Sequence, residues 1–398
     1  MSLTRIRLKP REERRIKAGH LWIFSNEVDC DATPLVATAP GDLVRVETAT
    51  GRPLGVGYVN PQSLISVRLL STDPHAVVDR AFLAARLRRA LAWRTRCHAH
   101  PFYRLVFGEA DGLPGLVVDR YDDTLVVQIT TAGMERLRPL LIEALDEVVR
   151  PAHILLRNDG ASRTLEGLPA TVEVALGSPP DEATVIEGSC RFRVALRAGQ
   201  KTGWFYDQRP NRARLLPYVE HARVLDLFSY VGGFGIQAAA HGAAHVTLVD
   251  ASARALAYAR ANAADNGVAA HVTAIEGDVF EVLRGLAAEG ARFDVVIVDP
   301  PALIKRRKDY AAGLAAYRRL NEQALAVLAD DGLLLAASCS HHLERDALPR
   351  LITQAATARR RGLQFVEEGG QGPDHPVHPA IPETAYLKVI LARALPVF

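Results

Sequence analysis

The chain has 398 residues, a formal net charge of +3, a hydrophobic content of 48% and a charged content of 23%. That length allows two or three domains with a sizeable core, and the balance argues against a disordered or fibrous chain. No apolar run approaches a membrane span, and the four cysteines (Cys30, Cys97, Cys190 and Cys339) show neither a CxxC pair nor zinc-type histidine spacing, which argues against a disulfide framework or a zinc site.

The first twenty residues, MSLTRIRLKPREERRIKAGH, carry seven Lys or Arg against two Glu. They lack the apolar core of a signal peptide, so a cytoplasmic protein is expected. Up to about residue 70 the pattern is one of short strands. GDLVRVETATGRPLGVGYVN reads as strand, Gly-rich turn and strand, and SLISVRLL as another strand. This predicts a small β-rich module over 1–75. Near Asp73 and Pro74 the pattern changes. Residues 77–97 follow a helical period, with Val78, Phe82, Leu83, Leu87, Leu91 and Trp93 on or near one side. Residues 102–130 return to strands around the Gly/Pro turn ADGLPG. A helix at about 134–149 and the strand HILLRND complete a middle α+β region over 76–185. LGSPPDEATVIEG reads as a linker or hairpin, which puts the main boundary near 180–190. Beyond it, the apolar strands RVLDLFS, HVTLVDA, HVTAIEGD, FDVVIVDPP and GLLLAAS alternate with Ala-rich helices. That rhythm predicts an α/β fold over 186–398, a parallel sheet covered on both faces.

Charge is unevenly spread. Residues 86–104 hold six Arg and no acid, and residues 305–319 hold six Lys or Arg against Asp309. One such cluster is ordinarily a solvated face. Three in one chain point to a polyanion, because cations that neutralise phosphates gain from counterion release.

In the α/β region, RVLDLFS leads into the turn YVGGFG and a helix. Gly232, Gly233 and Gly235 let backbone pass close to a ligand. The next strand ends at Asp250, placed to bond the two hydroxyls of a ribose. Asp278 follows the third strand, where it can accept from an adenine amino group or simply cap the next helix. Asp299, Pro300 and Pro301 follow the fourth strand. With Asp226, these acids are expected to line one crevice at the carboxyl ends of the strands. The spacing is not that of a dinucleotide GxGxxG motif.

These residues resemble class I S-adenosylmethionine-dependent methyltransferases. DLFSYVGGFG matches the first motif of that group, and Asp250, Asp278 and the DPP of 299–301 match its later acidic positions. AGQKTGWFYDQRPNR (198–212), SCS (338–340) and DHPVHPAIPETAYLK (374–388) resemble the ribosomal large-subunit methyltransferase I family. GHLWIFSNEV resembles the family's N-terminal PUA domain, and FGEADGLPGLVVDRY its middle RNA-contacting region. The resemblance covers most of the chain, with the motifs in the same order. The chain departs from it at Ala302 and Leu303, where the family often has Lys and an aromatic, and at His341, where it often has Gly.

The resemblance implies a Rossmann-like methyltransferase domain behind PUA-like and RNA-contacting regions, with S-adenosylmethionine as cofactor. It implies 23S rRNA, free or in a pre-ribosomal particle, as partner, and 5-methylcytosine as product. It implies cofactor contacts by Phe228, Ser229, Gly232, Gly233, Asp250, Asp278, Asp299 and Gln208. Substrate contacts would come from Arg209, Arg212, Pro300 and Pro301, although each arginine reads equally well as a structural ion pair. No membrane or metal is implied, and the sequence leaves monomer or homodimer open.

Cytosine C5 is too poor a nucleophile to take a methyl group unaided. A thiolate adding at C6 turns the ring into an enamine, which splits one difficult step into easier ones. Cys339 ends the strand that follows the one carrying Asp299, on the same sheet edge. The other three cysteines lie in other regions or precede the first sheet motif. Cys339 is therefore the expected nucleophile, against a reading as a small packing residue. Asp299 is expected to stabilise the activated ring near N3 and the amino group. Two other readings remain at this level. A base N-methyltransferase needs no cysteine and often stacks the flipped base on an aromatic after the Pro-Pro. A non-catalytic rRNA-binding factor needs only the basic surfaces.

Overall fold

β-branched runs cut by Gly and Pro turns build the first sheet. In the computed structural model, which describes residues 3–197, 199 and 202–396, β1 (Thr4–Arg7) is followed by the single-turn helix α1 (Glu13–Lys17) and β2 (Trp22–Phe24). With β3 (Leu43–Glu47), β4 (Pro53–Val59) and β5 (Ile65–Ser71), they form a five-stranded sheet of order β1-β3-β4-β5-β2. Its core gathers Ile6, Leu8, Ile23, Val44, Val46, Val67 and Leu69.

α2 (Arg80–Cys97) begins where Asp79 caps it by accepting from the Phe82 N–H. β6 (Phe102–Phe107), β7 (Leu116–Tyr121) and β8 (Thr124–Ile129) then run as a meander. The helices α3 (Ala132–Arg136) and α4 (Arg138–Val149) cross to β9 (His153–Asn158), which lies parallel to β8, and β10 (Thr171–Leu176) closes the sheet. Leu83 and Leu87 of α2 and Leu141 and Leu145 of α4 pack with Val118, Val127 and Leu156 in a second core.

β11 (Glu182–Glu187) and β12 (Cys190–Ala195) pair as a two-stranded ribbon, the hairpin alternative at that point of the sequence. α5 (Arg209–Leu215) precedes the Rossmann-like region. There β13 (Arg223–Leu227), α6 (Gly233–Ala240), β14 (His245–Asp250), α7 (Ala253–Asp265), β15 (Val272–Glu276), α8 (Val279–Ala288) and β16 (Phe293–Val298) alternate as the apolar rhythm predicts. α9 (Tyr310–Val327), β17 (Leu328–Ser338), α10 (Ala347–Ala358), β18 (Gly362–Gly369) and β19 (Lys388–Leu395) complete it. The sheet order is β15-β14-β13-β16-β17-β19-β18. β13 through β17 are parallel, and β19 runs antiparallel to both β17 and β18. Successive strands step outward from β13 to β15, and the chain then returns to place β16 on the other side of β13. That reversal creates a crevice at the carboxyl ends of β13 and β16, the usual ligand position in open α/β sheets.

The compact units are not contiguous in sequence. The first takes Met1–Ala183, Ala195–Tyr206 and Pro373–Thr384; the second takes Thr184–Val194, Asp207–Gly372 and Ala385–Phe398. Among the described residues, no helix is long and apolar enough to cross a membrane.

Candidate active site at the carboxyl ends of β13, β16 and β17

The turn after β13 holds unusual backbone. Phe228, Tyr230 and Gly232 have φ of 61°, 51° and 85°. Positive φ at two non-glycine residues in one turn costs free energy and marks a loop held in shape by its surroundings. Part of the holding comes from Asp250 at the end of β14. Its carboxylate accepts from the N–H of Tyr230 and of Ser252, each at 2.9 Å. Gly235 lets α6 lie close on β14, since a Cβ there would clash with Leu248 and sit 2.8 Å from Val246 Cγ1. Ser229 is 6% exposed, and its Oγ has no hydrogen-bond partner. A buried hydroxyl without a partner is costly and calls for a polar group brought from outside the chain. The glycine-rich turn, the orphan Ser229 hydroxyl and the acid ending β14 together fit a nucleoside with a polar tail, as in S-adenosylmethionine. Phe228, Ser229, Gly232, Gly233 and Asp250 are the residues that would hold it.

Asp226 does not line the crevice edge as its place in the sequence suggests. It lies within β13, is 1% exposed and accepts from the Gly235 N–H at 2.9 Å. Burial is the main force raising its pKa, to about 8; the Gly235 bond opposes this, and the neighbouring Asp299 and Asp250 add to it. Asp278 is exposed and caps α8, accepting from the N–H of Phe280 at 2.9 Å and of Glu281 at 3.2 Å. This is the capping role that the sequence left open beside adenine contact.

Asp299 follows β16 and is half-buried. Its Oδ1 accepts from Gln208 Nε2 at 2.8 Å, and Gln208 Oε1 in turn accepts from Asn211 Nδ2 at 2.7 Å. Asn211 Nδ2 also donates to the Gly370 carbonyl at 2.9 Å. Gln208, expected to touch the cofactor, is thus 3% exposed and orients Asp299.

The two arginines of DQRPNR converge on Glu187 of β11. Arg212, 3% exposed, pairs with both carboxylate oxygens at 2.5 and 2.8 Å, and Arg209 Nε lies 3.4 Å from Glu187 Oε2. Burial alone would raise the Glu187 pKa, but the two guanidiniums and a bond from Gln237 hold it down to about 2. Arg212 thus makes the structural ion pair that the sequence left open beside substrate contact. Its guanidinium is turned inward because a buried carboxylate left unpaired would be strongly destabilising. In the same segment, Ala198, Gln200 and Lys201 lie outside the described residues.

Cys339 immediately follows β17 and is half-buried. Its Sγ lies 3.9 Å from the carbonyl oxygen of Pro300, which is buried, whereas Pro301 is exposed. The two flanking serines explain how the thiol is presented. Ser338 and Ser340 are fully buried, and both bond the Tyr317 hydroxyl of α9, at 2.8 and 2.9 Å. The Ile304 N–H donates to Ser340 Oγ at 3.1 Å, tying the segment after DPP to the same clamp. Lys388, at the start of β19, donates to the Ser340 carbonyl at 2.7 Å. Sequence reasoning passed over Tyr317, Lys388 and Glu187. The available signals were two serines bracketing a cysteine and a lysine opening an otherwise apolar strand. His341, by contrast, is exposed and lies against the Tyr386 ring at 5.3 Å.

Residues 6–72 match the model of a PUA-like domain, and residues 166–393 match that of the S-adenosylmethionine-dependent methyltransferases. A ribosomal RNA large subunit methyltransferase I from Shewanella denitrificans is 39% identical over 395 residues, covering 98% of this chain and 99% of that relative. The protein of that name from Cronobacter sakazakii is 35% identical, covering 98% of both. Among solved structures, a chain from Streptococcus mutans described as an S-adenosylmethionine-dependent methyltransferase superposes with a TM-score of 0.82 at 20% identity, covering 98% of this chain and 100% of its own. A methyltransferase complexed with S-adenosylhomocysteine superposes with a TM-score of 0.83 at 21% identity, covering 99% and 100%. At that identity, the structural likeness speaks for the fold.

Proposed function

Because the chain belongs to the ribosomal RNA large subunit methyltransferase I family of S-adenosylmethionine-dependent methyltransferases, we propose that it forms 5-methylcytosine in 23S rRNA through a covalent Cys339 adduct. The observation that carries this reading is the juxtaposition of the Cys339 thiol with the DPP segment, its Sγ 3.9 Å from the Pro300 carbonyl. A base N-methyltransferase has no use for a thiol held there. Ala302 and Leu303 also supply no aromatic ring to stack on a flipped base.

S-adenosylmethionine supplies an electrophilic methyl group on a sulfonium. The Cys339 thiolate adds to cytosine C6, and the electron pair of the C5–C6 double bond moves toward C5 and the N3 side of the ring. Asp299, held by Gln208, faces the charge that develops there and stabilises it by hydrogen bonding. C5 then takes the methyl group as its bond to the sulfonium breaks, the bonding pair staying on sulfur as a neutral thioether. Loss of the C5 proton to a base drives out the thiolate, restoring both the aromatic ring and the enzyme. Ser338, Ser340 and Tyr317 hold the thiol in place through these steps, so little ordering is left to the moment of reaction.

The RNA itself is docked elsewhere on the chain in this reading. The PUA-like residues 6–72 and the arginines of α2, including the exposed Arg89 and Arg96, are suited to backbone phosphates. A cytoplasmic location follows from such a substrate.

The test is nucleoside mass spectrometry of 23S rRNA incubated with the protein and deuteromethyl S-adenosylmethionine. The expected product is labelled 5-methylcytidine, reduced at least a thousandfold in Cys339→Ala and undiminished by heparin at equal concentration of anionic charge. Label on adenosine or guanosine would overturn the cytosine assignment, and competition by heparin would overturn specific docking.

A further inference from the structure

The expected nucleophile sits in a bracket that its own motif does not explain. The β17–β19 register places Lys388 opposite Ser338, the residue before Cys339. Its ammonium reaches across to the carbonyl of Ser340, the residue after Cys339, at 2.7 Å. Lys388 is 7% exposed. A buried ammonium ordinarily has a carboxylate partner, because an unpaired charge in the interior is expensive. Among the described residues, no carboxylate lies within ion-pairing distance of Lys388. Charged groups on the elements that line a cavity with it are paired in other ways. Arg345 and Glu368 lie 3.5 Å apart, and Arg350 and Asp346 3.8 Å. Arg345, Asp346 and Glu368 share with Lys388 the lining of a small cavity of about 40 Å³. Cys339 lies between the residue opposite Lys388 in the register and the residue whose carbonyl takes its ammonium, and charge on its thiol acts on Lys388.

We infer that Lys388 is the positioning cation of Cys339, holding the thiolate as an ion pair so that the nucleophile is present at neutral pH. Ionisation releases the thiol proton to water, and sulfur keeps the electron pair that later forms the bond to C6. That pair returns to sulfur on elimination, and Lys388 stays protonated throughout. Burial draws the Lys388 pKa down to about 8, while charge on Cys339 acts in the opposite direction. The two groups therefore favour each other's ionised forms. A cation beside a thiol is a general means of raising its thiolate fraction.

This inference rests on the assignment of Cys339 as nucleophile, and its test separates the two. The rate of Cys339 alkylation by iodoacetamide, read by peptide mass spectrometry from pH 5.5 to 9.5, reports thiolate directly and needs no RNA. In Lys388→Met, the midpoint should rise by at least about one pH unit, a tenfold loss of reactivity at pH 7. Lys388→Arg should keep it low, and the exposed Cys30 should behave alike in all three proteins. If Lys388→Met unfolds, the buried Cys190 becomes reactive, and Lys388→Arg then carries the test. Its permanent charge should leave the midpoint at or below that of the wild type. Coincident midpoints for wild type and Met variant, or a raised midpoint in the Arg variant, would overturn the inference. Methyl transfer surviving in Cys339→Ala would instead overturn the nucleophile assignment and leave the alkylation result standing.

Discussion

The carboxyl group of Asp226 is buried under the turn it supports, with its pKa raised to about 8. The folded chain therefore binds a proton there that the unfolded chain has given up above about pH 4. Stability must fall as pH rises through this window and level off above about pH 8, since the native state binds more protons than the unfolded one. Asp226→Asn keeps an oxygen for the Gly235 N–H and has nothing to titrate. Urea unfolding of both proteins from pH 5 to 8 should show the variant gaining on the wild type, by up to about 1.4 kcal/mol per pH unit. Parallel stability curves would contradict a protonated Asp226. At this scale the sequence was partly legible. DLFSYVGGFG and DPP announce a ligand turn by composition, and SCS announces a cysteine at a strand end. The partner of each side chain was not legible. Gln208 meets Asp299 and Arg212 meets Glu187 across 91 and 25 residues of chain, and nothing local encodes such pairings.

Among the elements, α9 links the core to the chemistry. Its buried face packs Leu320, Ala324 and Leu325 against the sheet, and the Tyr317 hydroxyl reaches the two serines beside Cys339. Tyr317→Phe keeps the ring volume and removes only the hydroxyl. Two buried serine hydroxyls then each lose a partner, so urea unfolding should show a loss of about 1–3 kcal/mol. A change of only a few tenths would mean that the clamp adds nothing to the fold. The strands of this region were readable because a parallel sheet buried on both faces leaves near-continuous apolar runs. The placement of β19 between β17 and β18 was not, because an antiparallel return depends on contacts far apart in sequence. That placement sets Lys388 opposite Ser338 and against the Ser340 carbonyl, which explains why the lysine drew no notice in the linear pattern.

At the scale of the whole chain, a PUA-like match at residues 6–72 and a methyltransferase match at 166–393 frame a segment that neither covers. In our reading, the division into 1–75, 76–185 and 186–398 assigns that segment to RNA contact. The compact units cut across it, since Ala195–Tyr206 and Pro373–Thr384 rejoin the first unit. Such a return leaves no compositional mark, because each piece is short and reads as loop. What composition offers is an expectation of a polyanion partner, through three basic clusters in a chain of nearly balanced charge. The central claim is that this chain methylates cytosine by way of a bond from Cys339 to the ring, and trapping that bond tests it most directly. Fluorine at C5 cannot leave as a cation, so the adduct formed after methyl transfer cannot collapse. Transcripts of 23S rRNA carrying 5-fluorocytidine, incubated with the protein and S-adenosylmethionine, should yield a denaturation-resistant complex. Peptide mapping should find the nucleotide on Cys339, and Cys339→Ala should form no complex. Methylation of unmodified RNA without any trapped species, or a crosslink at another residue, would contradict the account.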